Sequence, residues 1–515
     1  MQYSVRLLDL EAGGKYIVVM SVDDARTLGV ISNDRLMLDS NGTAVVAILN
    51  TSEVFPRGVL GMYKEIGEYL GVDEGDPIDV EPAERPESLL HIRSKIMGEK
   101  LTPKHIDAIV EDVVQRHLSS IELSSFVTAL QIHGTSMEEI EALSRSMIKW
   151  GKTIDFGRTP ICDKHSIGGV PGDKTTMIVV PIIAAAGYTI PKSSSRAITS
   201  PAGTADRMEA ICPVNLRLEE IIEVVNDIGA CIVWGGALDL APADDLFIQV
   251  EYPLSIDPLL LPSIMSKKKA MGSTHVVVDI PTGREAKIKT MEEAQQLAIN
   301  FIELGNRLGI EIRCAVTEGE QPIGYCIGPS LEAREALKTL AGSGPPDVVD
   351  KATSIAGILL EMVGEENGQA KAMEMLTSGK AEAKMREIIG AQGGDPDIRS
   401  EDLVVGDERL DVRAAKDGRI LLFKNRSIAQ LARVAGAPNT KCAGIELGVK
   451  LGDEVKEGDV LFSVYTDSLR KLGQVEDLVK RMEPILVGNR IGEKMIMMKI
   501  SESTTPGSER YIIDR

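Results

Sequence analysis

Two neighbouring segments constrain the fold of this 515-residue chain more than anything else in it. The first reads Asp163-Lys164-His165-Ser166-Ile167-Gly168-Gly169-Val170-Pro171-Gly172-Asp173-Lys174-Thr175-Thr176 and runs into an apolar stretch over 177–188. The second reads Ser194-Ser195-Arg196-Ala197-Ile198-Thr199-Ser200-Pro201-Ala202-Gly203-Thr204-Ala205-Asp206-Arg207-Met208-Glu209. Each sets glycine, hydroxyls and a cation directly ahead of a predicted helix. Glycine lets backbone amides approach an anion closely, and a helix start adds a favourable dipole. Lys164, Ser166 and Thr176 add one positive charge and two hydroxyls, enough to hold phosphate without a metal. It is not a Walker loop, because Asp173 interrupts the Gly-Lys-Ser/Thr ending. Either segment alone also reads as an ordinary strand-to-helix connection or a Ser-rich surface loop. Together, one per βα unit, they place two anion cradles beside each other at the carboxyl ends of strands.

The surrounding pattern supplies such a sheet. Helical patterns over 219–227, 258–270 and 291–308 alternate with β-branched runs over 231–234, 275–279 and 310–316, which predicts a mostly parallel α/β sheet. Upstream, short apolar runs over 15–20 and 43–48 lie between Gly, Asn and Asp turns and predict a small β-rich domain. A Glu-Pro-Ala-Glu-Arg-Pro linker over 81–86 separates it from three helices. Thr102 caps and Pro103 opens the first of these, with Ile106, Ile109, Val110, Val113, Val114 and Leu118 on its apolar face. Thr135 and Glu138 read as the capping box of the last, which runs to Trp150. His105, His117, His133 and His275 read as surface or packed residues. Beyond 342 come two or three helices to 389, a Gly/Asp/Pro break over 390–397 and a β-rich tail. In that tail 448–464 has paired Gly-Asp turns like half of a lipoyl-type barrel, but no lysine in the turn context a lipoylated domain needs, so it reads as architectural.

The expected fold class is multidomain α/β. It comprises a β-rich N-terminal domain (1–84, suited to assembly), a helical α domain (86–157 plus about 240–270), a phosphate-binding α/β domain (158–239 plus about 271–341) and a C-terminal α+β domain (342–515). A net charge of -20 argues against nucleic-acid binding, so an anionic ligand must be held by a local nest. Six cysteines without a Cys-x-x-Cys pair fit neither a disulfide framework nor a zinc site and suit a reducing compartment. No basic region followed by an apolar core opens the chain, and no apolar run is long enough to span a bilayer. The expectation is a cytoplasmic protein with no membrane partner, metal or cofactor.

The Lys164-His165-Ser166 loop and the segment from Ser194 to Glu209 resemble the two signatures of the thymidine and pyrimidine-nucleoside phosphorylase family, and the likeness runs from about Pro86 to the C-terminus. With its β-rich N-terminal extension the chain is most similar to the archaeal AMP phosphorylase branch. The resemblance implies a six-helix α domain, a larger α/β domain, a cleft between them, a C-terminal α+β part and a homo-oligomer, dimer or larger. It implies phosphate ligands at Lys164, Ser166, Thr176, Ser194 and Thr204, with His165 lining the site. Nucleotide contacts are implied at Gly169, Ser195, Arg196, Ala197, Ile198, Thr199, Ser200 and Thr204. Asp257 matches a carboxylate that donates a proton to the leaving base, Ser263 the family's base-side serine and Lys287 a nucleotide-binding lysine. Lys267 and Lys268 read either as a solvated helix end or as facing the cleft, Lys267 being the one offered to ligand.

Two departures bear on substrate. Pyrimidine phosphorylases carry His-Thr where this chain has Ser200-Pro201, and an arginine that grips the pyrimidine carbonyl is missing from 237–262. The implied reaction is attack of inorganic phosphate, a co-substrate, on the anomeric carbon of AMP. It inverts that centre and yields adenine and ribose 1,5-bisphosphate, with CMP and UMP as further substrates. Catalysis is then chiefly positioning and electrostatic preorganisation, with Asp257 needing a pKa raised by burial. An Asp-Pro pair also reads as a plain helix N-cap. A thymidine or pyrimidine-nucleoside phosphorylase, a magnesium-dependent phosphoribosyltransferase of the anthranilate type and a non-catalytic nucleotide sensor stand as alternatives.

Overall fold

The structure, a computed structural model, describes residues 1–13, 15–197 and 200–488. The chain divides into two compact units, Met1–Lys152 with Ala241–Ser266, and Thr153–Leu240 with Lys267–Arg515.

In the first unit six strands close a barrel: β1 (Gln2–Leu7), β2 (Ile17–Ser21), β3 (Arg35–Ser40), β4 (Thr43–Ser52), β5 (Val59–Met62) and β6 (Pro77–Pro82), in the order β1-β5-β2-β4-β3-β6. Closure leaves no free sheet edge. Inward residues such as Val18, Met20, Leu36, Leu38 and Leu49 fill its core. Helices Ser88–Ile96, Pro103–Val114, Ser120–His133, Met137–Lys149 and Pro242–Leu254 follow, with Ile106, Ile109, Val110, Phe126 and Phe247 packed between them. Thr102 caps the second helix, accepting the His105 N–H at 3.3 Å. The last capping box is one residue later than expected. Ser136 Oγ accepts from Glu139 N at 3.3 Å and Glu139 Oε2 from Ser136 N at 2.8 Å. The register is fixed by burial: Glu139 is buried where Glu138 is exposed, and its other oxygen takes Lys95 Nζ at 2.8 Å and the Leu101 N–H at 3.0 Å.

The second unit is built on parallel strands. β7 (Cys162–Ser166), β8 (Ile190–Ser194), β9 (Ala230–Trp234), β10 (His275–Thr282) and β11 (Glu311–Glu318) run in the orders β11-β10-β7 and β8-β9, and a parallel bridge from Ile161 to Thr189 joins the two groups. The helix Thr176–Ala185 is apolar almost throughout and buried, so it forms the centre of the core. Around it pack the helices Pro346–Met362, Gly368–Thr377 and Lys380–Ala391. These helices therefore share the α/β core instead of opening a separate domain at 342. The separate β-rich core begins later, at β13 (Glu408–Arg413), and recruits β12 (Cys326–Ile327) from the chain before it. A Gly/Pro break marks where a helix stops, and contains nothing about which core that helix joins.

The six cysteines are all free. Burial pushes the thiols of Cys162, Cys212 and Cys231 up to about 12. Among the described residues no helix is long and apolar enough to cross a membrane.

Candidate active site

The first loop leaves the end of β7 at Ser166 and the second leaves the end of β8 at Ser194. Successive strand residues face opposite ways, so β7 presents two distinct charge clusters. On one side Lys164 is fully buried. Its Nζ donates to Thr176 Oγ1 at 3.4 Å and lies 3.8 Å from Asp173 Oδ2 and 4.0 Å from Asp279 Oδ2. Asp279 also meets Lys351 Nζ at 2.9 Å and accepts from Thr317 Oγ1 at 2.6 Å. Burial pulls Lys164 below the ordinary lysine value, opposed by Asp173 and Asp279. For Lys351 burial also acts downward, but the same two carboxylates outweigh it and raise the group. Two cations thus face two carboxylates, with Thr176 at the start of the apolar helix beside Lys164.

On the other side Asp163, fully buried, meets Lys268 Nζ at 2.8 Å and Lys192 Nζ at 3.7 Å and accepts from Ser273 Oγ at 3.2 Å. Burial and the neighbouring Lys268 press Lys192 well below the usual lysine range. The half-buried ring of His165 shares this side. Burial together with Lys268, Lys192, Lys164 and Lys267 holds it well below the ordinary histidine value, so it is neutral at neutral pH. Lys268 is thus no solvated helix end; it is 2% exposed and paired. Lys267 is half-buried.

The glycines do what the loop requires. Gly169 has φ +96°, and a Cβ there would stand 2.6 Å from the backbone nitrogen of Lys287. Two residues expected at the nucleotide are therefore brought together, with the Lys287 side chain exposed. In the second loop a Cβ on Gly203 would strike the backbone of Ser195, Arg196 and Ala197, so this turn folds tightly against Gly203. Asp206 shapes it, accepting from Ala197 N at 2.7 Å and Gly203 N at 2.8 Å.

The hydroxyls are arranged unevenly. Ser166 Oγ accepts from Gly168 N at 3.4 Å and keeps its proton for another partner, while Ser194 Oγ donates to Val233 O at 3.0 Å. Thr204 Oγ1 accepts from Arg207 at 3.3 Å, Ser200 Oγ donates to Ala202 O at 3.2 Å, and Ser195 is exposed. Ile198 and Thr199 lie outside the described residues. The Arg196 guanidinium has partners within the chain. It grips Glu209 with two bonds of 2.7 Å and lies over the Trp234 ring at 4.9 Å. That side chain braces the loop.

Asp257 and Ser263 belong to the first unit. Asp257 is half-buried, and its carbonyl accepts from Leu260 N at 3.4 Å where the helix Leu260–Ala270 begins. Ser263 Oγ donates to Asp244 Oδ2 at 2.9 Å. Sequence reasoning assigned no role to Asp163, Lys192, Asp279, Lys351, Arg207 or Lys174. The available signal was a charge inside an apolar strand, as in Val276-Val277-Val278-Asp279-Ile280, since a buried charge persists only with a partner. Among the described residues no His, Cys, Asp and Glu group is arranged to hold a metal ion.

Comparison with known proteins follows this layout. Residues 91–151 match the helical bundle domain and 158–382 the a/b domain of the glycosyl transferase family, and 422–485 match the pyrimidine nucleoside phosphorylase C-terminal domain. The AMP phosphorylase of Thermococcus kodakarensis is 49% identical over 97% of this chain and 99% of its own length. That of Thermofilum pendens is 48% identical over 97% and 98%, and that of Methanosarcina barkeri 45% identical over 95% and 96%. The anthranilate phosphoribosyltransferase of Thermus thermophilus shares the fold over 58% of this chain and 98% of its own, at TM-score 0.50 and 20% identity.

Proposed function

The chain belongs to the AMP phosphorylase family, and from that premise we propose that it cleaves the N-glycosidic bond of AMP with inorganic phosphate, releasing adenine and ribose 1,5-bisphosphate. The observation that carries the reading is the pair of loops at the ends of β7 and β8, with a buried lysine behind the first. Phosphate is assigned to Lys164, Ser166, Thr176, Ser194 and Thr204, and the nucleotide to Gly169, to the backbone from Ser195 to Ser200, to Ser263 and to Lys287.

Preorganised donors lower the barrier because no reorientation is needed as charge moves from phosphate to the leaving base. The Lys164 ammonium is fixed by Thr176, Asp173 and Asp279, so it meets the incoming anion without rearranging. The neutral His165 ring lines the site without adding charge of its own. Direct displacement inverts the anomeric centre and needs no covalent enzyme intermediate. Asp257 is assigned the proton that the purine takes as it leaves. The absence of an arginine from 237–262 and the Ser200-Pro201 pair favour a purine over a pyrimidine nucleoside. CMP and UMP are proposed as secondary substrates.

The test is to incubate the protein with AMP, CMP, UMP, thymidine and uridine, with and without phosphate, and follow free base. Phosphate-dependent adenine release from AMP is expected. Release only from thymidine or uridine would move the substrate to pyrimidine nucleosides, and release from none would leave a sensor or a transferase with another substrate.

A further inference from the structure

The helix Pro329–Leu340 carries Glu332 and Glu335, both buried and one turn apart, so they share a face. Glu335 pairs with the ammonium of Lys174, from the first anion loop. That ammonium is fully buried and donates also to the carbonyls of Ile323 at 2.9 Å and Cys326 at 3.1 Å. The carboxylate in turn accepts the N–H groups of Tyr325 at 3.0 Å and Cys326 at 3.3 Å. Glu332 accepts from Arg207 Nε at 2.5 Å and from Gly328 N at 2.9 Å. Arg207 spends its other nitrogens on the second loop, donating to Ala202 O at 2.8 Å and Thr204 Oγ1 at 3.3 Å.

Each loop is thus tied by its own buried cation to one helix. The approach is close on the first side, where a Cβ on Gly172 would stand 2.5 Å from the Ile323 carbonyl. Well-packed apolar side chains could hold such a helix as firmly, because desolvation offsets much of what a buried ion pair gains. What the pairs add is direction, since each fixes the angle at which a loop backbone leaves the core. The opposing charges agree with firm pairing: burial lowers Lys174, yet Glu335 and Glu332 outweigh it and raise the group.

We propose that Glu332 and Glu335 are positioning residues, a common strut that sets the two anion loops relative to each other through Arg207 and Lys174. The inference rests on the reading that the first loop holds chiefly phosphate, and that the second holds the nucleotide and completes the phosphate site through Ser194 and Thr204. It is tested with E335Q, K174A and E332Q. Calorimetric binding of inorganic phosphate, KM for phosphate and for AMP, kcat and thermal melting are measured on each.

E335Q and K174A should weaken phosphate binding by about tenfold or more while changing KM for AMP much less, and E332Q, acting through Arg207 on Thr204 and the second loop, should weaken both phosphate and AMP. Ethylammonium should restore phosphate binding to K174A in a saturable manner and leave E335Q unrestored. Should K174A not fold, the near-isosteric E335Q decides. Wild-type phosphate affinity in folded E335Q overturns the proposal, as does an identical split in E335Q and E332Q, or lower melting temperatures with both KM values unmoved. Phosphate binding needs no turnover, so a wild-type protein that binds phosphate without cleaving AMP would refute the AMP reading and leave the strut to its own result.

Discussion

Replacing Gly169 by alanine isolates the close approach on which the first loop depends. Two costs arise. An L-residue in left-handed conformation is disfavoured by about 1–2 kcal/mol. In addition the new Cβ would stand 2.6 Å from Lys287 N and 2.8 Å from Lys287 Cβ, where ordinary contact begins at 3.4 Å. The loop or the Lys287 backbone must therefore give by about 0.8 Å. A misplacement near 1 Å costs on the order of 100-fold in rate, or about 2.7 kcal/mol of transition-state stabilisation. Gly187 separates the two costs: its φ of +93° nearly equals the +96° of Gly169, yet nothing lies within 4 Å of its Cβ direction. The assay is kcat/KM for phosphate in adenine release, with thermal melting alongside. G187A should lose stability only, and G169A should lose similar stability and about 100-fold in kcat/KM. A G169A enzyme with wild-type kcat/KM would refute the claim that this contact positions the loop.

Three further perturbations follow from the titratable groups around the loops. Lys268→Met removes the nearer cation from the buried Asp163 carboxylate and leaves it Lys192 at 3.7 Å, so denaturant unfolding should show a loss of about 3 kcal/mol, the low end for a broken buried pair; a loss near that of a surface pair, below about 1 kcal/mol, would contradict the pairing. His165 is held neutral in the folded chain, so below the ordinary histidine value of 6.5 the unfolded chain gains a proton that the folded one refuses. Its contribution is complete above that value and falls with pH below it. H165Q should flatten stability across that range, and an unchanged slope would count against the assignment. Glu209, held at about 2 chiefly by Arg196, contributes stability present above its ordinary 4.5 and lost as pH falls towards 2. E209Q should remove that acid dependence and cost about 2 kcal/mol at neutral pH, measured by denaturant titration.

Much of the fold is legible because it depends on period and punctuation. The helix Met291–Leu308 and the start of β10 at His275 are bounded by local signals that the structure keeps. The start of the Met137–Lys149 helix was misplaced by one residue because Thr135/Glu138 and Ser136/Glu139 both satisfy the capping spacing. Only the long-range bonds from Lys95 and Leu101 to Glu139 choose between them. The same distinction divides the site. The loops around Lys164 and Ser194 announce themselves by composition, whereas the carboxylates that orient Lys164 come from residues 173 and 279, and only strand pairing brings Asp279 beside β7. Arg196 shows the same division, since composition places a guanidinium in the loop but only the fold supplies its partner Glu209, one helix away.

The central claim is that phosphate bound in these loops itself becomes bonded to the ribose. It is tested most directly by following AMP and oxygen-18-labelled phosphate with phosphorus NMR, using the wild-type protein and K164M. Phosphorolysis predicts a new sugar 1-phosphate resonance of the α anomer, carrying the label at the C1 phosphate, in step with adenine release, and a loss of both in K164M. Adenine released with ribose 5-phosphate and unlabelled sugar, or label transfer that persists undiminished without Lys164, would contradict it.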